Sequence, residues 1–160
     1  MEMWDYIAIL WRDFLRQDVQ LKLFGARYDL GYLEFGIILG IISLSVALIF
    51  NSNTAPLKAK LSKSVAGFFS VVFVAPVIEE IIFRLVLISI FTVLFESVLI
   101  AVVVSAFFFA VGHILWGNLR FVDTFVSGLL WGWAFTVVGL SVTIIAHMTH
   151  NFLASIMRRG

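Results

Sequence analysis

Long apolar stretches separated by short polar ones dominate the chain. The first covers residues 33–50 with one charge at its leading edge, and a helix there would extend about 27 Å at roughly 1.5 Å per residue. That length approaches the roughly 30 Å thickness of bilayer hydrocarbon. The pattern predicts similar helical spans over residues 98–115, 122–138 and 141–157. Gly139 stands between the last two, as expected of a tight connection.

The longest apolar run covers residues 65–95 and is interrupted by Pro76 and then by charged residues. One helix of this length would extend about 46 Å, more than an upright crossing needs. A tilt or a break near Pro76 is therefore expected. The stretch before it, residues 51–64, is polar, contains Pro56 and three lysines, and is predicted to be a loop.

The N-terminal segment carries charged residues among its apolar ones. Over residues 1–24 the apolar residues recur at helical spacing, with charged residues on the other side. This pattern predicts an amphipathic helix lying on the membrane surface within an interfacial segment of residues 1–30. Packing of this helix against the other helices remains an alternative. The residues that define the apolar side are Trp4, Ile7, Ala8, Trp11, Phe14 and Leu15.

The composition sets the class of protein. Of the 160 residues, 62% are hydrophobic and 13% are charged, which lies far outside the range of soluble globular domains. We therefore expect an all-α, polytopic transmembrane helix bundle with about five spans plus an N-terminal interfacial helix. One membrane domain would cover residues 1–160, and the distribution of Lys and Arg favours a cytoplasmic C-terminus.

Charge and cysteine content narrow the functional classes. The formal net charge is +1 and the basic residues form no cluster, so a nucleic-acid partner is not expected. There are no cysteines, which excludes disulfides, thiolate catalysis and Cys-ligated metals. Charged residues interrupt the apolar residues near the N-terminus, so this segment is expected to be retained rather than cleaved as a signal peptide.

Few strongly polar side chains interrupt the apolar helices after residue 65. A charge at the bilayer centre costs at least about 2.5 to 3.5 kcal/mol, so such residues usually face the bundle interior and pair with one another. A shared polar site is therefore expected. Its candidate members are Glu79, Glu80, Arg84, His113, His147, His150 and Asn151.

Helical geometry separates the two glutamates. At about 100° per residue, Glu80 lies about 40° from Arg84 on the helix, while Glu79 lies about 140° from it. This spacing favours a Glu80–Arg84 ion pair and leaves Glu79 on a face where it can meet the histidines. A purely structural ion-pair network of all three residues remains an alternative.

The histidines and the asparagine come from two later helices. His147 and Asn151 are four residues apart and project together, and His113 ends an apolar run, FFFAVGH. Each could also be a structural hydrogen-bonding residue. For His150, a hydrogen bond to a neighbouring helix or to a headgroup is the favoured interpretation. Polar groups on three helices of one small bundle are nevertheless harder to explain by structure alone.

Three motifs occur in order: EEIIFR at residues 79–84, FAVGH at 109–113 and HMTHN at 147–151. They resemble the motifs EExxxR, FxxxH and HxxxN of the CPBP family, the CAAX proteases and bacteriocin-processing enzymes, also called the Abi family. The similarity covers about residues 66–157. Two features depart from the family: Leu85 stands where glycine is common after the arginine, and the chain is shorter than eukaryotic CAAX endopeptidases. The short chain suggests a bacterial or archaeal member.

The resemblance implies an intramembrane glutamate endopeptidase and assigns roles to the matching residues. Glu79 would activate a water together with His113, while His147 and Asn151 would stabilise the oxyanion. Such an arrangement can hydrolyse an amide without a covalent intermediate. The supporting residues implied by the first motif are Glu80 and Arg84.

The expected function is hydrolysis of a peptide bond near the membrane, without a metal or another cofactor. The expected partners are a peptide or protein substrate and the lipid bilayer of a bacterial or archaeal cell membrane. One alternative is a non-proteolytic membrane immunity or scaffold protein. Another is a metal-dependent membrane peptidase using Glu79, His113, His147 and His150, which ranks lower because no HExxH helix is present.

Overall fold

A computed structural model of the chain describes residues 18–23, 26–50, 64–114 and 120–157. Within these ranges a two-stranded hairpin precedes five helices that pack as a bundle, so the predicted helical bundle is confirmed. The elements are β1 Asp18–Leu23, β2 Ala26–Gly31, α1 Tyr32–Ile49, α2 over residues 65–95, α3 Val98–Ile114, α4 Arg120–Val137 and α5 Leu140–Met157.

The hairpin corrects the prediction for the N-terminal segment. Strands β1 and β2 pair antiparallel, with Asp18 opposite Gly31 and Leu23 opposite Ala26. The predicted helix extended to residue 24, and this prediction was wrong over residues 18–23. Their sequence, DVQLKL, alternates polar and apolar residues with the period of two that favours a strand. The remainder of the predicted interfacial helix, residues 1–17, lies outside the described residues.

The predicted spans correspond to observed helices. Each predicted end lies within two residues of an observed helix end. Tyr32–Ile49 and Leu140–Met157 are long and apolar enough to cross a membrane, and Val98–Ile114 and Phe121–Val137 are shorter apolar helices. Gly139 connects α4 to α5 with a φ of 125°, a conformation that favours glycine. The predicted loop lies outside the described residues up to position 63.

Helix α2 continues unbroken through Pro76, where a tilt or a break was expected. The segments Ser70–Val74 and Ile81–Ile88 are π-helical, and the α-helical segment Ala75–Glu80 lies between them. A proline ring crowds the preceding turn and removes one backbone donor. We attribute the unbroken course to the wider π turn directly before Pro76, which gives the ring room. The glutamates thus lie on an α-helical turn flanked by two π segments.

Close contact between helices fixes the position of α5. A Cβ atom added at Gly36 would lie 2.6 Å from Ile145 Cγ2, and one added at Gly40 would lie 2.6 Å from the Ala146 carbonyl oxygen. Helix α1 can therefore approach α5 closely only because these positions lack a side chain. The core beside this contact contains Phe35, Leu39, Phe109, Trp131, Ala134, Val138, Val142 and Ala146.

Candidate active site

Polar side chains from α2, α3 and α5 meet inside the bundle. Glu79 Oε2 lies 3.7 Å from His113 Nε2 and 3.6 Å from His147 Nε2. The histidine side chains are almost fully buried, whereas the Glu79 side chain is 24% exposed. The structure therefore brings together three residues that the sequence placed on three different helices.

His147 lies between two carboxylates. Its Nδ1 is 2.9 Å from Glu80 Oε1, while its Nε2 faces Glu79. The sequence predicted an ion pair between Glu80 and Arg84, and Arg84 Nε does lie 3.1 Å from Glu80 Oε2. The hydrogen bond between Glu80 and His147 was not predicted. An imidazole has a nitrogen on each of two edges, so one ring can reach carboxylates that leave neighbouring residues of α2 in different directions.

The hydrogen bonds assign the histidine tautomers. His113 Nδ1 lies 2.8 Å from the Phe109 carbonyl oxygen, which can only accept, so Nδ1–H donates. His147 Nδ1 likewise donates to the Glu80 carboxylate, whose other oxygen faces Arg84. In the neutral rings, both Nε2 atoms consequently carry lone pairs directed towards Glu79.

Aromatic rings enclose the charge of Arg84. Its guanidinium carbon lies 4.6 Å from the centre of the Phe109 ring and 5.8 Å from that of the Trp131 ring. The Trp131 and His147 ring centres are 4.5 Å apart. Cation–π attraction and the ion pair with Glu80 together stabilise a fully buried guanidinium. Arg84 therefore belongs to the support of His147.

Asn151 is oriented by a backbone carbonyl of α2. Its Nδ2 donates to the Val71 carbonyl oxygen over 2.9 Å. That carbonyl lacks its usual helical donor because Ala75 N–H bonds to the Ser70 carbonyl in the π turn, and Pro76, the next residue, has no N–H. The π turn and the proline together create an acceptor for Asn151. The sequence signal was Pro76 inside an apolar helix.

A polar cavity of about 20 Å³ lies beside these residues, enough for about one water molecule. His113, His147 and Asn151 line it, whereas Glu79 contacts the histidines without lining it. Helix α4 also lines the cavity through Asp123, Thr124 and Ser127. These residues were not predicted, although polar residues near the start of an apolar span were a visible signal. The other lining residues are Phe109, Trp131 and His150.

His150 joins α5 to α1. Its Nδ1 lies 2.9 Å from Ser43 Oγ, and Ser43 donates its single hydroxyl proton to the Gly40 carbonyl. We therefore assign the proton between the two side chains to His150 Nδ1. This is the interhelical hydrogen bond favoured by the sequence interpretation. Within the described ranges, no three His, Asp or Glu side chains are arranged to hold a metal ion.

Comparison with known proteins defines the class. Residues 61–153 match the family described as type II CAAX prenyl endopeptidase Rce1-like, more than half of the chain, so the chain belongs to this family. It is also 32% identical over 79 residues to the sporulation-killing factor biosynthesis protein SkfC of Bacillus subtilis (strain 168). That alignment covers 47% of this chain and 16% of SkfC, so the chain spans a small part of this relative. No solved structure matches the chain.

Proposed function

We propose that this protein is an intramembrane endopeptidase in which Glu79 and His113 activate a water for attack on a peptide carbonyl. The family implies a CAAX-type membrane peptidase, and the glutamate and histidine mechanism is our proposal. The observation that supports it best is the approach of Glu79 Oε2 to two imidazole nitrogens, at 3.6 and 3.7 Å, inside a helix bundle.

The separations around Glu79 suit a shared water. They exceed the roughly 2.7 to 3.2 Å of a direct N–H···O hydrogen bond, and polar contacts beyond about 3.5 Å are often bridged by water. A bridging water would donate to the Glu79 carboxylate and to His113 Nε2. Glu79 would take one proton as the water oxygen bonds to the carbonyl carbon, and would return it to the leaving amine.

Two groups would stabilise the oxyanion. To donate from Nε2, His147 must first take up a proton from solvent, and Glu80, which accepts from His147 Nδ1, would stabilise the resulting positive charge. Asn151 gives one amide N–H to Val71 and retains a second. Fixed donors in a site shielded from water stabilise developing negative charge without reorganising during the reaction.

The proposed setting is the cell membrane of a bacterium, with the chain crossing it several times. Among the described residues, two helices are long and apolar enough for a crossing and two are shorter and apolar, and SkfC is a protein of Bacillus subtilis. The proposed partners are a peptide or protein substrate at the membrane and the surrounding lipid. We propose no nucleic-acid partner, metal or other cofactor.

Replacement of Glu79 tests this function. We expect Glu79→Gln to lower peptide cleavage by at least about 100-fold, because an amide cannot act as a base. Purified protein in liposomes would be incubated with a peptide library and the products identified by mass spectrometry. Glu34→Gln, at an exposed position of α1, should cleave as the wild type does. Full biological activity of a folded Glu79→Gln protein would favour the immunity or scaffold alternative.

A further inference from the structure

The cavity beside the proposed oxyanion donors has a wall from α4 that belongs to none of the three motifs. Asp123, Thr124 and Ser127 form this wall and are 1%, 7% and 3% exposed. His147 and Asn151 border the same cavity. If these two residues hold the scissile carbonyl, a substrate side chain next to that bond must lie close to the wall from α4.

The depth of this cavity is fixed by helix packing. Gly128 follows Ser127, and a Cβ atom added there would lie 3.1 Å from Ala106 Cα, so α4 already contacts α3 closely. Trp131, 2% exposed, lines the cavity one turn further along and packs against His147. Closely packed interiors yield little to an added methylene. The wall therefore cannot retreat to admit a large side chain.

The lining combines hydrogen-bonding side chains with the rings of Phe109 and Trp131. Thr124 lines the cavity, and its Oγ1 donates to the Phe121 carbonyl oxygen over 3.2 Å. The Ser127 hydroxyl and the His150 ring add further polar groups. A hydroxymethyl group is comparable in size to the single water that 20 Å³ can hold, and it can form a hydrogen bond with the Ser127 hydroxyl.

We propose that this cavity is the subsite for the substrate side chain next to the scissile bond, and that it selects serine, alanine or glycine, with serine preferred. The inference rests on the proposed function and specifies its substrate class. The small, rigid cavity excludes larger side chains and admits all three, and a hydrogen bond to the Ser127 hydroxyl would favour serine over alanine and glycine.

The test compares cleavage profiles of the full chain in liposomes. A library of peptides with varied residues on both sides of each bond is the probe, and mass spectrometry identifies the cleaved bonds. We expect serine, alanine and glycine to dominate one position beside the cleaved bond. Ser127→Gly should extend the profile at that position to valine and leucine. Ser127→Leu should lower cleavage of serine-containing peptides by about 10-fold or more.

The matched control is Thr136→Leu, a partly exposed position on the same helix that does not line the cavity, which should leave the profile unchanged. The subsite alone is overturned if Glu79-dependent cleavage occurs with large residues, or a prenylated cysteine, on both sides of the bond. An unchanged profile in the folded Ser127→Gly variant overturns it as well. If Glu79→Gln cleaves as the wild type does, or if neither cleaves any peptide, the proposed function fails together with the subsite.

Discussion

Each nitrogen of the His147 ring faces a different carboxylate, and the two carboxylates have different surroundings. Glu80 is fully buried beside Arg84, whereas Glu79 is partly exposed. A buried carboxylate with a fixed cation is suited to orienting an imidazole. A carboxylate with some access to solvent can exchange a water. We therefore assign Glu80 to positioning His147 and Glu79 to the proposed water activation.

Replacing Glu80 separates these roles. We expect Glu80→Gln to lower kcat/KM by about 10- to 100-fold, the usual effect of removing an outer partner of a functional histidine. It should also destabilise the fold, because Arg84 would be left without its carboxylate at a cost of about 3 to 5 kcal/mol.

The double variant Glu80→Gln, Arg84→Met is the control for that experiment. Removing both charges should restore much of the thermal stability in detergent, while kcat/KM stays low because His147 still lacks its carboxylate. Arg84→Ala alone should lower the melting temperature, since Glu80 then loses its cation. Recovery of activity together with stability in the double variant would contradict a positioning role for Glu80.

Asn151 distinguishes the proposed mechanism from metal catalysis. An asparagine is a poor zinc ligand but a good hydrogen-bond donor. We expect Asn151→Ala to lower peptide cleavage by at least about 100-fold, and wild-type cleavage to survive thorough chelation. Activity would be measured before and after chelator treatment. Inactivation by chelator with recovery on adding zinc would support the metal-dependent alternative.

The sequence predicted most residues of this candidate site, but it did not predict all of the contacts between them. The cost of polar groups in apolar helices led to Glu79, His113 and His147, because that cost depends on residue type alone. The bond from Glu80 to His147 and the wall from α4 depend on how helices pack and rotate. Asp123 showed the limit of the approach, since it lies in a predicted span and was not counted among the polar candidates.

At the scale of the element, α2 combines two kinds of helical turn. Apolar residues follow one another so densely over residues 65–95 that their pattern predicts a helix without revealing its π segments. Pro76 signalled an irregularity, but a break and a π turn are both known responses to proline. The structure shows the π turn, which leaves the Val71 carbonyl without its helical donor, and Asn151 donates to it instead.

Pro76→Ala tests this arrangement. The new N–H at position 76 can bond to the Val71 carbonyl and compete with Asn151 for it. We expect activity to fall by about 10-fold or more, because a displaced oxyanion donor is costly. Thermal stability should stay the same or rise, because alanine favours a helix far more than proline does.

Activity and melting temperature of this variant would be compared in the same detergent. A merely structural proline would give the opposite pattern, with stability lowered and the residual folded protein fully active. Ala75→Ser, on the same turn and with its backbone N–H retained, is the control and should change neither quantity greatly.

At the scale of the whole molecule, α1 lies outside the residues that match the family, 61–153, yet it packs closely on α5. It also holds His150 through Ser43. Helix α5 carries His147 and Asn151 within this contact. The position of α1 should therefore influence the site although α1 contributes none of the motif residues.

Gly40→Val should show this influence. A Cβ atom there would lie 2.6 Å from the Ala146 carbonyl oxygen, a backbone atom that cannot move without displacing α5. We expect the free energy of unfolding to fall by about 1 to 3 kcal/mol, measured as a lower melting temperature, and we expect cleavage to fall as well. Gly112→Ala is the control for stability, because its added Cβ would find its nearest neighbour, Phe83 Cζ, at 4.0 Å. Equal melting temperatures for the two variants would contradict the close contact.

The buried ion pair of α2 also bears on how the chain enters the membrane during synthesis. Glu80 and Arg84 are four residues apart and can neutralise each other as soon as their helix forms. Glu79 has no such neighbour, and the histidines that it contacts lie on α3 and α5, which leave the ribosome later. If α2 crosses the bilayer as proposed, a lone carboxylate near its centre would cost at least about 2.5 kcal/mol. In the proposed multi-pass arrangement, α3 and α5 would therefore reduce the cost of keeping Glu79 in lipid, and the helices that complete the site would also stabilise α2 in the bilayer.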